Sequence, residues 1–254
     1  MTNSKKLKWV IILLLALLPF LLPLGANAGR RWCFEVETGA AFNGQNDIAI
    51  PGDTGTRFSL TESFDVKPTV FYRLRLTYAL GGRHQISALL APLRFRASGP
   101  ASLPIHFFGA DFAAGAPIDA TYRFNSYRLT YRYGLVDSEK WKVGIGFTAK
   151  IRDAAIRLES GSARPQKTNI GFVPLLHFRV EHVLSTRAAL LLEGDALAAP
   201  QGRAEDVLLA FLYKISGALT LKAGYRVVEG GADNKAVYNF ALIHYASVGL
   251  LFNF

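Results

Sequence analysis

A single cysteine, Cys33, in a chain of 254 residues excludes any intrachain disulfide framework, whatever the redox compartment. Methionine is just as scarce, with one in the whole chain. Beyond residue 24 no apolar run is long enough to cross a bilayer as a helix. Nor does any segment carry the 3.6-residue stripe of an amphipathic helix. Acidic residues are also few, 19 against 29 basic, for a formal net charge of +10. Such an excess points first to nucleic acid, a class that the first residues of the chain make improbable.

Those residues read as a secretory leader. Lys5, Lys6 and Lys8 form a positive start, residues 9–24 an uncharged run, and Ala26-Asn27-Ala28 a small-residue cleavage pattern, with Gly29 as the first mature residue. The run falls short of the roughly 20 residues that a spanning helix needs, and Pro19 and Pro23 interrupt it. The expectation is therefore a cleaved signal peptide over residues 1–28 and one domain over 29–254. No cysteine follows the cleavage pattern, which argues against lipid attachment. Without the three leader lysines, 26 basic residues face 19 acidic ones, a net +7.

What remains is hydrophobic without being continuous. Half of all residues are apolar, in short alternating segments with glycine between them. The last ten residues show the pattern best. Ala246, Val248, Leu250, Phe252 and Phe254 share one face, and Tyr245, Ser247, Gly249, Leu251 and Asn253 share the other. Ten such segments are readable, at 32–43, 70–80, 85–96, 121–135, 141–158, 170–183, 188–198, 207–214, 219–228 and 240–254. Short connections alternate with long ones at 44–69, 97–120, 159–169, 199–206 and 229–239. The pattern predicts an all-β fold, a closed antiparallel up-and-down barrel that crosses a membrane, because open sheet edges cannot be satisfied in hydrocarbon. A hairpin hidden in 97–120 would raise the count to twelve, and a merger of weak segments would lower it to eight. Residues 207–213 are apolar on both faces, so their orientation is not readable.

Parity sorts the charges. Val70, Tyr72, Leu74, Leu76 and Tyr78 face lipid while Arg73 and Arg75 face in, and the same division recurs at 141–152 and 219–226. An arginine or lysine turned to the bilayer midplane would cost about 2–4 kcal/mol, so the sorting is forced. The inward set contains Glu35, Glu37, Glu181, Glu193 and Asp195, with Arg73, Arg75, Arg94, Arg96, Arg128, Arg132, Lys142, Lys150, Arg152, His177, Arg179, Lys222 and Arg226. Neighbouring strands bring Glu35 and Glu37 within reach of Arg73 and Arg75, and His177, Arg179 and Glu181 within reach of Glu193 and Asp195. Such a lumen is either plugged by ion pairs or, through its basic surplus, a narrow anion-favouring pore.

The loops carry weaker signals. Residues 97–120 are oily for an exposed connection, with Leu103, Ile105, Phe107, Phe108 and Phe112 available to pack on the first loop or to meet a hydrophobic ligand or lipid. Asp53-Thr54-Gly55 matches the aspartic-protease tripeptide, but that chemistry needs two carboxylates and only one copy exists. Asp47 and Asp53 are conceivable cation ligands. His106 lies near Asp111, with Ser59 or Ser102 as a hydroxyl, and His177 near Glu193 or Asp195. Neither set completes a nucleophile, base and orienting acid. No motif calls for a cofactor or a metal, and the expectation is a protein that is not an enzyme.

The leader end Ala26-Asn27-Ala28 and the terminal Val248-Gly249-Leu250-Leu251-Phe252-Asn253-Phe254 resemble those of small bacterial outer-membrane β-barrels, the OmpA-type domains and their hydrophobic-channel relatives. The resemblance covers the whole mature chain and contains no motif specific to one activity. It implies a Gram-negative outer membrane, both termini periplasmic and a monomeric, porin-like or structural barrel. The implied partners are outer-membrane lipid and lipopolysaccharide, periplasmic chaperones and the barrel-assembly machinery, with Phe252 and Phe254 as the assembly signal. Nucleic acid is not among them.

Overall fold

Ten antiparallel walls close on themselves in a computed structural model that describes residues 31–199 and 202–254. The leader reading for residues 1–28 lies outside the described residues. In chain order the walls are β1 (Trp32–Ala49), β4 (Thr69–Gly81), β5 (His84–Ala91) continued by β6 (Arg94–Pro100), β9 (Pro117–Asp137), β10 (Trp141–Glu159), β11 (Gln166–Val183), β12 (Ala188–Ala199), β13 (Gly202–Lys214), β14 (Leu219–Asn234) and β15 (Val237–Asn253). Each pairs with its sequence neighbour, and β1 pairs with β15 from Cys33↔Asn253 to Ala49↔Tyr238. The period-2 pattern of the last ten residues is thus the closing seam.

The walls run further toward the loop end than the sequence pattern indicates. Strand takes up most of the expected loops at 199–206 and 229–239 and both ends of the one at 159–169, leaving 160–165 and 235–236 as turns among the described residues. The reason is physical: above a membrane both strand faces meet water or loops, so the alternation fades while the ladder continues. Only two connections are large. The first, 50–68, holds β2 (Phe58–Ser59), a helical turn Leu60–Ser63, and β3 (Asp65–Val66). The second, 101–116, holds the hairpin β7 (Ile105–Phe107) and β8 (Ala110–Phe112), which pair with each other and not with the wall.

The break between β5 and β6 falls at Pro92, whose nitrogen has no proton for the ladder. Register survives it, since Ala91 pairs with Ser126 and Arg94 with Arg123 on β9. Because β4 pairs with β5 only as far as Leu74↔Leu90, the wall opens above that point. There β3 pairs with β6, and the first loop fills the gap.

Lipid-type side chains cover the outer surface: Phe147, Leu129, Phe172, Leu209, Tyr225 and Val248 are all exposed. Trp141 stacks on His182 at 4.1 Å and Trp32 on Tyr78 at 4.5 Å near the terminal end, where amphipathic rings form an interfacial girdle. Toward the loop end the band stops at outward-facing Asp153, held by Arg123 at 2.8 Å and Asn125 at 3.1 Å. From Trp141 to Ile151, tilted strands rise roughly 25 Å, the height of an outer-membrane apolar band. Arg94 and Arg96, expected in the lumen, project outward instead, because their parity follows exposed Ile86 and not buried Leu89. They lie beyond the apolar band, where an outward charge carries no penalty.

Gly39 holds φ at +145°, and a Cβ there would collide with the Ala246 carbonyl across the β1–β15 seam. The strained backbone alone would cost a valine about 1–3 kcal/mol. Gly39→Val should therefore prevent closure, read as loss of the folded, heat-shifted band on an unboiled SDS gel. A folded band at wild-type intensity would refute this.

Candidate functional site

Inward parity delivers charge from every side of the tube to one depth, and the structure resolves it into two clusters. The larger is centred on Asp206, which accepts from Arg226 Nη1 at 2.5 Å, Arg128 Nη2 at 2.6 Å and Arg73 Nη2 at 3.1 Å. Arg226 also donates to Glu37, from Nη2 at 3.0 Å and Nε at 3.1 Å. Lys222 bridges Glu35 and Glu37. On the far side Arg128 Nη1 reaches Asp195 at 2.5 Å, and Asp195 also takes Thr148 Oγ1 at 2.7 Å and His177 Nδ1 at 2.9 Å. The four carboxylates Glu35, Glu37, Asp195 and Asp206 thus meet the four fixed cations Arg73, Arg128, Lys222 and Arg226. Eight walls contribute: β1, β4, β9, β10, β11, β12, β13 and β14.

The second cluster lies nearer the terminal end. Glu193 takes Arg75 and Arg179, the latter at 2.5 Å, with Arg132 at 4.0 Å. Arg179 also holds Glu181 at 3.0 Å, and Arg132 donates to Gln85. Glu35 and Glu37 do stand opposite Arg75 and Arg73 in the β1–β4 register. The ion pairs nevertheless skip this neighbour: the acids reach over β15 to Lys222 and Arg226 on β14, and the arginines cross the lumen to Glu193 and Asp206. Long guanidinium arms reach the tube axis more easily than they fold back on a neighbouring strand. The expected partnership of His177, Arg179 and Glu181 with Glu193 and Asp195 forms as neighbouring pairs. Lys150 and Arg152 belong to neither cluster.

Asp206, the hub, is the residue that sequence reasoning missed. It falls in the expected loop 199–206, since residues 207–213 are apolar on both faces and hide the strand start, whereas β13 begins at Gly202. The signal was present: Asp206 shares even parity with Leu208, Ala210 and Leu212, all buried and inward.

Above the ionic layer the tube is filled with apolar side chains. Phe71 meets Tyr245 edge-on at 4.9 Å, and Phe58 from the first loop meets Phe107 of the hairpin at 6.5 Å. Ile105, Phe107 and Phe112 are buried in this packing, while Leu103 and Phe108 remain exposed. Backbone bonds fasten the two loops together, from Thr56 N to His106 O at 2.9 Å and from Phe108 N to Ile50 O at 2.7 Å. His106 Nδ1 pairs with Asp111 at 2.7 Å on the exposed side of the hairpin. Ser59 is bonded to Thr61 and Asp47 to Gln45. Among the described residues no group of His, Cys, Asp or Glu converges as a metal site.

Burying charges is costly, and a buried pair is weak evidence of net stabilisation. Removing one member is different, because the remaining charges are stranded at about 3–5 kcal/mol. Asp206→Ala leaves three arginines around a missing carboxylate and should lower unfolding stability by that order, measured by tryptophan fluorescence in a urea titration. Adding Arg73→Met should restore part of it; a double variant no better than the sum of its single changes would contradict the hub assignment.

No family model matches the chain, and no curated protein is similar to it. Solved structures are. The outer membrane protease OmpT from Escherichia coli shares 7% identity over 88% of this chain and 97% of its own, with a TM-score of 0.55. An outer membrane channel from Pseudomonas putida F1 shares 12% over 91% and 99%, at 0.47. The attachment invasion locus protein Ail of Yersinia pestis shares 8% over 88% and 99%, at 0.38. At these identities the likeness bears on the fold alone. That fold is a closed ten-stranded antiparallel barrel, of the class to which these outer-membrane β-barrels belong.

Proposed function

We propose that this protein is an outer-membrane barrel whose lumen is sealed at mid-depth, a structural barrel or at most a narrow channel with no chemistry of its own. One observation carries the reading: the Asp206 cluster ties eight walls together across the lumen, and its members Glu37, Arg73, Arg128, Lys222 and Arg226 are all buried. A ten-stranded tube is barely wider than the eight-stranded kind that side chains fill. The ionic layer and the apolar packing of the two loops stand in series above the termini. In this reading the termini are periplasmic, loops 50–68 and 101–116 face outward, and Phe252 and Phe254 serve assembly.

Catalysis finds little support. His177 and Asp195 form a base and orienting acid, but Thr148 donates to the same carboxylate, so no hydroxyl is held at the imidazole. The His106–Asp111 pair is solvent-facing, and neither candidate serine, Ser59 or Ser102, is held against it. Incubation with unstructured peptides should leave them uncut, and cleavage that survives purification would remove the reading of a barrel without chemistry.

Planar-bilayer recording tests the seal. The wild-type barrel should show no steps above background, whereas Arg128→Ala combined with Asp206→Ala should open small, noisy conductance. Steady steps from the wild type would leave the narrow channel and discard the seal.

A further inference from the structure

Beside the apolar packing, and on the loop side of the ionic layer, the lumen retains a cavity of about 180 Å³. Its cations are Lys150, Arg152, Lys167 and Arg203, and its one carboxylate is Glu229, which is already paired with Arg203. The remaining three form no ion pair among the described residues.

Lys150 is the sharpest of them. It is only 3% exposed, and its one partner is the ring of Phe124, 4.9 Å from Nζ. Its register partner across β9–β10 is Arg128, another buried cation. Like charges placed directly opposite each other repel, and Arg128 has already committed its guanidinium to Asp195 and Asp206. Two residues along the same face, roughly 7 Å on, stands Arg152. Its Nη2 donates to Asn169 at 2.6 Å, but its Nε is buried without an acceptor. Opposite Arg152 lies Gly171, and the guanidinium lies over it, its Nη2 3.1 Å from where a Cβ would stand. A buried ammonium and a buried guanidinium N–H, neither paired with a carboxylate among the described residues, line one cavity. Phe124, Ile156 and Val173 supply its apolar wall.

We propose that this cavity binds a small organic carboxylate. Lys150 and Arg152 take the carboxylate, and Phe124, Ile156 and Val173 take the apolar body. A buried cation needs a counter-charge, a guanidinium favours a planar oxyanion, and apolar walls suit a carbon skeleton better than a hydrated inorganic ion. The site lies on the loop side of the ionic layer, so it is independent of whether that layer conducts.

The test is isothermal titration of the full barrel in detergent with benzoate, benzyl alcohol and inorganic phosphate. Benzoate should bind saturably, one per barrel. Benzyl alcohol should show no saturable binding, and phosphate should bind at least ten-fold more weakly than benzoate. In Lys150→Met and in Arg152→Gln, each checked for the folded band on an unboiled gel, benzoate affinity should fall at least ten-fold. Lys150→Arg should retain binding. Without ligand, Lys150→Met should unfold at a higher urea concentration than wild type, since it removes an uncompensated buried charge; a purely structural lysine would shift the midpoint down. Absence of saturable benzoate binding, or unchanged affinity in folded Lys150→Met, overturns the proposal. Phosphate binding as tightly as benzoate overturns the assignment to an organic anion.

Discussion

Everything in this barrel depends on the seam at which β1 meets β15. A sheet in hydrocarbon has no water to satisfy its edges, so the only spanning sheet is one whose last strand pairs with its first. Once Cys33 faces Asn253 and Ala49 faces Tyr238, each side chain is either outside or inside. Parity then acts as a sorting rule, not a preference. Phe147 and Leu129 must face lipid, and Arg73, Arg128, Lys222 and Arg226 must share a narrow lumen with whatever acids the same rule sends there.

The consequence is a lumen built in two materials. Toward the termini it is ionic, because those strand segments lie at membrane depth and their charges have nowhere else to point. Toward the loop end it becomes an ordinary protein interior, with Phe58, Phe71, Phe95, Phe107 and Tyr245 packed together. The opening of the wall above Leu74, where β4 leaves β5 and Pro92 interrupts the ladder, admits the first loop and lets it tie to the hairpin. The cavity survives beside this packing, on a side lined by Phe124, Lys150, Arg152 and Val173. Charge balance is reached in the Asp206 cluster and abandoned at Lys150.

The cores of the ten strands were readable because a membrane-spanning strand must alternate. The terminal strand, 141–151 and 219–226 kept the faces that their parity indicates. Misreadings came where alternation loses its cause. Beyond the apolar band the strands continue without patterning, so strand takes up much of the three expected loops, and Arg94 and Arg96 project outward although their stretch reads as inward. Asp206 was overlooked because Val207, Leu209 and Phe211 obscured the parity that it shares with Leu208. The oily residues of 101–116 announced a contact, but whether with a ligand or with the first loop was not in their pattern. Ile105, Phe107 and Phe112 are buried against that loop.

Patterning in one dimension was enough for the class of fold and the side of the wall on which most charges lie, since each follows from the period of a strand and the low dielectric of lipid, while the count of ten walls needed the closed ladder. The identities of the ion pairs required three dimensions. Glu37 reaches Arg226 from β1 to β14, and Arg75 reaches Glu193 from β4 to β12. Those distances exist only after the sheet has curled, and they depend on its stagger and on how far each side chain extends toward the axis. The same closure left Lys150 without a carboxylate, which no count of charges along the chain could reveal.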